Sequence, residues 1–193
     1  MTDVAEHCPD QFKQRKTMLE TSRSIYGELN VLPNWYALST KARHEKKVHN
    51  KLLQKGISSY LPLQTIHRRW SDRYKEVQEP VFSCYVFVKI PLKNRIDVLQ
   101  TDGAVRLVSF NGIPATIPEN QINAIRTILE SNCQIEKVDY LTPGQKIEVI
   151  QGPLKGTQGI LAEVKNRQRL ILRIDSIMQA ISFNIDHRDI KVI

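Results

Sequence analysis

Residues Glu79–Ile90 read EPVFSCYVFVKI, the most apolar strand signal in the chain. Valine, phenylalanine and tyrosine dominate it, residue types that fit a pleated, half-buried surface. Upstream, Trp35–Ser39 (WYALS) is a second buried-strand candidate. Between the two, Ala42–Lys55 holds no glycine or proline and carries Val48, Leu52 and Leu53 at helical spacing. Thr40 is placed to cap that helix and Gly56 to end it. Ser58–His67 reads as a strand, Arg68–Arg73 (RRWSDR) as a polar turn, and Tyr74–Glu79 as the returning arm of a hairpin. Downstream, a short helix is expected over Leu92–Leu99, with short strands at Ala104–Phe110 and Pro114–Ile117 around the turn Asn111-Gly112. Pro118 then opens a helix whose buried stripe is Ile122, Ile125, Ile128 and Leu129.

This order predicts an α+β unit over 34–132, with helices packed on a mainly antiparallel sheet. Residues 1–33 lack sustained periodicity and read as an extension that is flexible or weakly helical around Gln11–Tyr26. A polar connector covers 133–142, and it is expected to let the two halves move independently. From Pro143 the helical period disappears. Ile147/Val149, Ile160/Ala162/Val164, Leu170/Leu172/Ile174 and Ile181/Phe183/Ile185 alternate with polar residues. Five short strands separated by turns predict a small β-barrel over 143–193.

The 193 residues are 41% hydrophobic, enough for a packed core. No apolar run approaches the ~18 residues of a membrane span, and the first residues lack an apolar leader core. Cys8, Cys84 and Cys133 lie far apart, which argues against a disulfide framework and for a reducing cytoplasm. No Cys/His spacing suits a metal, and no cofactor motif is present.

The formal net charge is +8, and it is clustered. Ten basic residues fall within 41–75 against only Glu45 and Asp72. Such a field attracts polyanions, nucleic acid first among them in a cytosol, although a solvated helix face and hairpin tip would look the same. Catalysis finds no support. The five histidines are scattered, and GPLKGTQG (Gly152–Gly159) has neither the Gly-Lys-Ser/Thr nor the following helix of a phosphate loop.

Gly144–Val164, GQKIEVIQGPLKGTQGILAEV, alternates up to a Gly152-Pro153 turn and then sets Gly156 and Gly159 before a second alternating strand. It resembles the KOW motif of transcription elongation and ribosomal proteins. EPVFSCYVFVKI resembles the E-P-x-F-P-G-Y-x-F-V strand of the NusG family's N-terminal domain. WYALSTKARHEKKV, SSYLPLQTIHRRWSDR and GIPATIPENQI resemble further segments of it, in the same order, over roughly Asn34–Ile193. Within that family the wording is most like specialised paralogues of the UpxY type, bacterial antiterminators of surface-polysaccharide operons, with RfaH-like paralogues as neighbours. Ser83-Cys84 replaces the family's Pro-Gly, which should change the local turn, since neither residue takes a positive φ readily.

The resemblance implies a non-enzymatic antitermination and elongation factor. Its N-terminal domain would dock on the clamp helices of the largest RNA polymerase subunit. The matching positions are Trp35, Tyr36, Phe82, Tyr85 and Phe87, and the expected depression is Phe82 and Tyr85 flanked by Tyr36 and Leu61. Strand alternation sets Phe82 opposite Tyr85 and Phe87 unless the Ser83-Cys84 turn resets the register. Lys46, Lys47, Lys51, Arg68, Arg69 and Arg73 would lie near DNA or nascent RNA. The KOW unit would recruit a ribosomal protein or another partner, and it could instead dock on the Phe82/Tyr85 depression. No membrane is implied. The competing reading is a ribosome-associated, RNA-binding KOW protein.

Overall fold

A computed structural model describes residues 27, 30–69, 74–131, 135–141, 143–164, 167–185 and 187–193. The reading of a short helix around Gln11–Tyr26, and the hairpin tip with Arg73, lie outside the described residues.

The N-terminal unit is built on β1 (Asn34–Thr40), which pairs antiparallel with β5 (Tyr85–Ile90) over the register Asn34↔Ile90 to Ser39↔Tyr85. Around this pair stand β2 (Ser58–Tyr60), β6 (Ala104–Leu107) and β9 (Thr116–Ile117), in the order β2-β5-β1-β6 with β9 also on β1. Strands β3 (Leu63–Arg69) and β4 (Tyr74–Pro80) form a separate two-stranded ribbon, the expected hairpin. Strands β7 (Ser109–Phe110) and β8 (Ile113–Pro114) form another around Asn111-Gly112.

The sheet has two apolar faces because β1 alternates. Tyr36 and Leu38 enter one core with Val48 and Leu52 of α1 (Glu45–Gln54), and with Val98 of α2 (Arg95–Leu99). Trp35 and Ala37 enter the other with Phe82, Phe87 and the Ile122/Ile125/Ile128 stripe of α3 (Glu119–Glu130). Each face thus buries the apolar side of an amphipathic helix.

Two local expectations change. Thr40 does not cap α1, because its own N–H is bound to the Cys84 carbonyl at 2.8 Å and keeps it in the strand. The chain turns instead through Arg43, at φ +61°, and α1 begins at Glu45. The Glu79–Ile90 run is not one strand. Val81–Cys84 form a turn between β4 and β5.

The second unit is all-β. Five strands, β11 (Gln145–Val149), β12 (Gln158–Val164), β13 (Arg167–Ile174), β14 (Gln179–Phe183) and β15 (Ile190–Val192), follow the expected alternation. A sixth, β10 (Glu136–Val138), comes from the connector, and the order is β10-β14-β13-β12-β11-β15. Ile147, Val149, Leu170, Leu172, Ile181 and Phe183 are buried within it. These side chains are continuous with the α3-side core of the first unit, and the Lys137 ammonium donates to the Ser83 hydroxyl at 2.9 Å.

Candidate functional site

The turn at Val81–Cys84 is the first feature the fold singles out. Cys84 takes φ +66° where a glycine would be at ease. The conformation is clasped from two sides. The Cys84 carbonyl accepts from Thr40, and its N–H donates to the Glu45 carboxylate at 2.7 Å. Glu45 is buried in the first turn of α1, where a carboxylate also suits the helix dipole. Cys84 is therefore left-handed although it is not glycine.

That turn resets the register. Phe82 packs edge-on against Phe87, with ring centroids 5.7 Å apart, so the two share a face of the sheet. Tyr85 is half-buried against the same core. Tyr60 stacks on Phe87 at 6.4 Å, and burial pushes its hydroxyl up to about 12. The Arg126 guanidinium lies 4.8 Å from the Tyr60 ring and 5.5 Å from that of Trp35. Tyr36 and Leu61 do not join this group. Both are buried in the opposite, α1-side core, and burial raises the Tyr36 hydroxyl pKa. The reason is parity: Tyr36 is one residue from Trp35 and Ala37, so its side chain points through the other side of the sheet.

The basic residues divide by partner. The Lys46 ammonium donates to the Gln78 carbonyl at 2.8 Å, tying α1 to the hairpin. Lys47 and Lys51 both reach one oxygen, Oδ2 of Asp102, at 2.8 and 3.1 Å. Hydrogen bonds from Lys47 first and then Lys51 hold the Asp102 carboxyl well below the usual carboxylate range. Arg68 pairs with Glu79 at 2.6 Å across the ribbon, and Arg69 is exposed beside it. The neutralising acids come from outside the basic window or from its partner strand, which a count over 41–75 misses. Glu45, Asp102 and Arg126 were not singled out as site residues. Glu45 and Asp102 were visible only as acids in or beyond a basic stretch.

In the second unit, Gly152 and Gly156 adopt φ +79° and +83° in the loop joining β11 to β12. The loop closes through Gly156 N–H to the Val149 carbonyl at 2.7 Å and Val149 N–H to the Thr157 carbonyl at 2.9 Å. Pro153 is exposed in that loop. Gly159 sits opposite Ile147, where an added Cβ would come within 2.7 Å of the Leu170 side chain. The glycine spacing thus serves a turn, at Gly152 and Gly156, and close packing within the sheet, at Gly159. Among the described residues no group of three potential metal ligands is present, and no helix is long and apolar enough to cross a membrane.

Residues 33–126 match a family model described as NusG, transcription termination factor nusG. The chain is 23% identical over 172 residues to the transcription termination/antitermination protein NusG of Lactococcus lactis, covering 81% of this chain and 91% of that one. It is 26% identical over 149 residues to the NusG of Streptococcus pyogenes serotype M3, covering 69% and 82%. A solved structure described as domain interaction in Thermotoga maritima NusG aligns with 83% of this chain and 97% of its own, at a TM-score of 0.51 and 17% identity. The matched segment holds the Val81–Cys84 turn, the aromatic face and the basic helix, and the all-β unit follows it in the chain. Residues 33–126 thus carry a NusG-like domain, and the chain over most of its length is similar to NusG transcription termination/antitermination proteins.

Proposed function

We propose that the N-terminal unit docks on the clamp helices of the largest RNA polymerase subunit and suppresses pausing or termination. On this reading the protein is a specialised paralogue of the UpxY type, acting at particular operons such as surface-polysaccharide loci. The docking surface centres on the half-exposed Tyr85, at the edge of the core that buries Phe82 and Phe87. Tyr36 and Leu61 support it from the core beneath. The observation that carries the reading is the clasped Val81–Cys84 turn, which brings Phe82 and Phe87 onto one face beside the half-exposed Tyr85. Lys46, Arg68, Arg69 and Arg73 would approach upstream DNA or nascent RNA, and the KOW unit would recruit a further partner, a ribosomal protein being one. No bond is made or broken. Binding the closed-clamp polymerase more tightly than the open one shifts the population toward the state that elongates.

Tyr85→Ala is the direct test, because Tyr85 is the least buried member of the face. Truncating an interface anchor costs ~2 kcal/mol or more, about thirtyfold in affinity. A folded Tyr85→Ala protein should lose core polymerase in a quantitative pull-down. Full retention would remove this face from the interface, and co-purification with ribosomes instead would favour the ribosome-associated alternative.

A further inference from the structure

We infer that Asp102 sets the specificity of the basic face, by keeping Lys47 and Lys51 from free nucleic acid. The inference rests on the nucleic-acid reading of that face. The geometry is asymmetric. Lys46 and Lys55 donate to backbone carbonyls, which are neutral and leave each lysine's charge intact. Lys47 and Lys51 instead converge on a single carboxylate oxygen that arrives from a distant loop. A phosphate approaching either lysine meets the carboxylate's negative charge beside it, so the contact gains little charge neutralisation unless Asp102 gives way.

Stability does not account for the arrangement. The side chains of Lys47 and Asp102 are 53% and 56% exposed, and pairs so exposed contribute little. The backbone is nevertheless shaped to deliver it. The next residue, Gly103, lies at φ +95° with its α-carbon so close to α1 that an added Cβ would stand 2.9 Å from the Val48 side chain. Its carbonyl is fixed by the Lys41 N–H at 2.9 Å. Asp102 is thereby held over the helix rather than swinging in solvent. The consequence is a helix face that binds isolated DNA weakly. It gains its lysine contacts only where polymerase already holds the nucleic acid against it and can displace the carboxylate. This is discrimination by a built-in competitor, which specificity requires as much as attraction.

The test uses the full chain and a fluorescent mixed-sequence DNA duplex of about 30 base pairs, titrated by anisotropy across a salt series. Asp102→Asn should bind the free duplex about tenfold more tightly at low salt, and its salt dependence should steepen by up to about two units, one for each lysine released. In a Lys47→Ala/Lys51→Ala background the same substitution should change neither. Glu148→Gln, which removes one negative charge from the KOW sheet, should not reproduce the effect. If it does, net charge is responsible and the inference fails. Should Arg68→Ala/Arg69→Ala weaken binding while Asp102→Asn leaves it unchanged, the face contacts nucleic acid and Asp102 does not control it. If none of these variants alters affinity or slope, the nucleic-acid reading of the face falls, and the role of Asp102 with it.

Discussion

Cys84 pays a conformational cost that its neighbours make worthwhile. A left-handed residue other than glycine is disfavoured by about 1–2 kcal/mol. Here the Thr40 N–H and the buried Glu45 carboxylate both depend on that conformation. Cys84→Gly should therefore leave thermal stability unchanged or raise it. Cys84→Val should lower it by about 1–2 kcal/mol, since a β-branched side chain tolerates a positive φ least. Thermal unfolding followed by circular dichroism separates the two, and a harmless valine would show that the turn relaxes. The sequence supplied the alarm at this position, a missing Pro-Gly, but not the answer. That needed a carboxylate 39 residues away in sequence to be folded against the turn.

At the scale of elements, β10 shows why the connector was hard to read. Its three residues alternate too briefly to signal a strand. They pair with β14 over Glu136↔Ser182 to Val138↔Ala180, and Glu136 meets the buried guanidinium of Arg169 at 3.0 Å. Arg169 is 3% exposed and also donates to Asn184 and Ser182. Removing one partner of such a pair leaves a buried charge short of its counter-ion. Glu136 is itself one-third exposed, so the penalty is softened by solvent. Glu136→Ala is expected to cost about 2 kcal/mol. It should also speed amide exchange at Glu136–Val138 before the rest of the sheet. Exchange unchanged at those amides would mean that β10 is held by its backbone pairing alone. The longer elements were legible. The periods of α1, α3 and β11–β14 were each sustained enough to name their buried face, whereas β1 is buried on both.

Across the whole molecule, Phe82 joins two roles that the sequence could not separate. The resemblance assigns it to the docking depression, and it is 1% exposed in a core running from Trp35 through Ile125 into Ile147 and Phe183. Phe82→Ala should therefore destabilise the protein by about 3–5 kcal/mol, as large-to-small changes in packed cores do. Any loss of polymerase binding in that variant will follow the loss of fold. Chemical denaturation measures this directly, and a shift below about 1 kcal/mol would place Phe82 at a surface that opens readily.

Periodicity and turn chemistry were enough to read the two units, their order, the hairpin and the KOW strands, because these depend on neighbours a few residues apart in the chain. The resemblance to the NusG family rests on motifs of the same short range. Three things lay beyond that range. Tyr36 fell on the opposite face from Phe82 because the parity of each strand had to be set against a turn whose conformation Glu45 holds. The +8 counted over 41–75 shrank where it mattered because Asp102 and Glu79 fold in beside the cations. The connector forms a strand against β14, with Glu136 beside the buried Arg169 guanidinium. Each is a contact between residues distant in sequence, and Coulomb forces and packing act on distance in space.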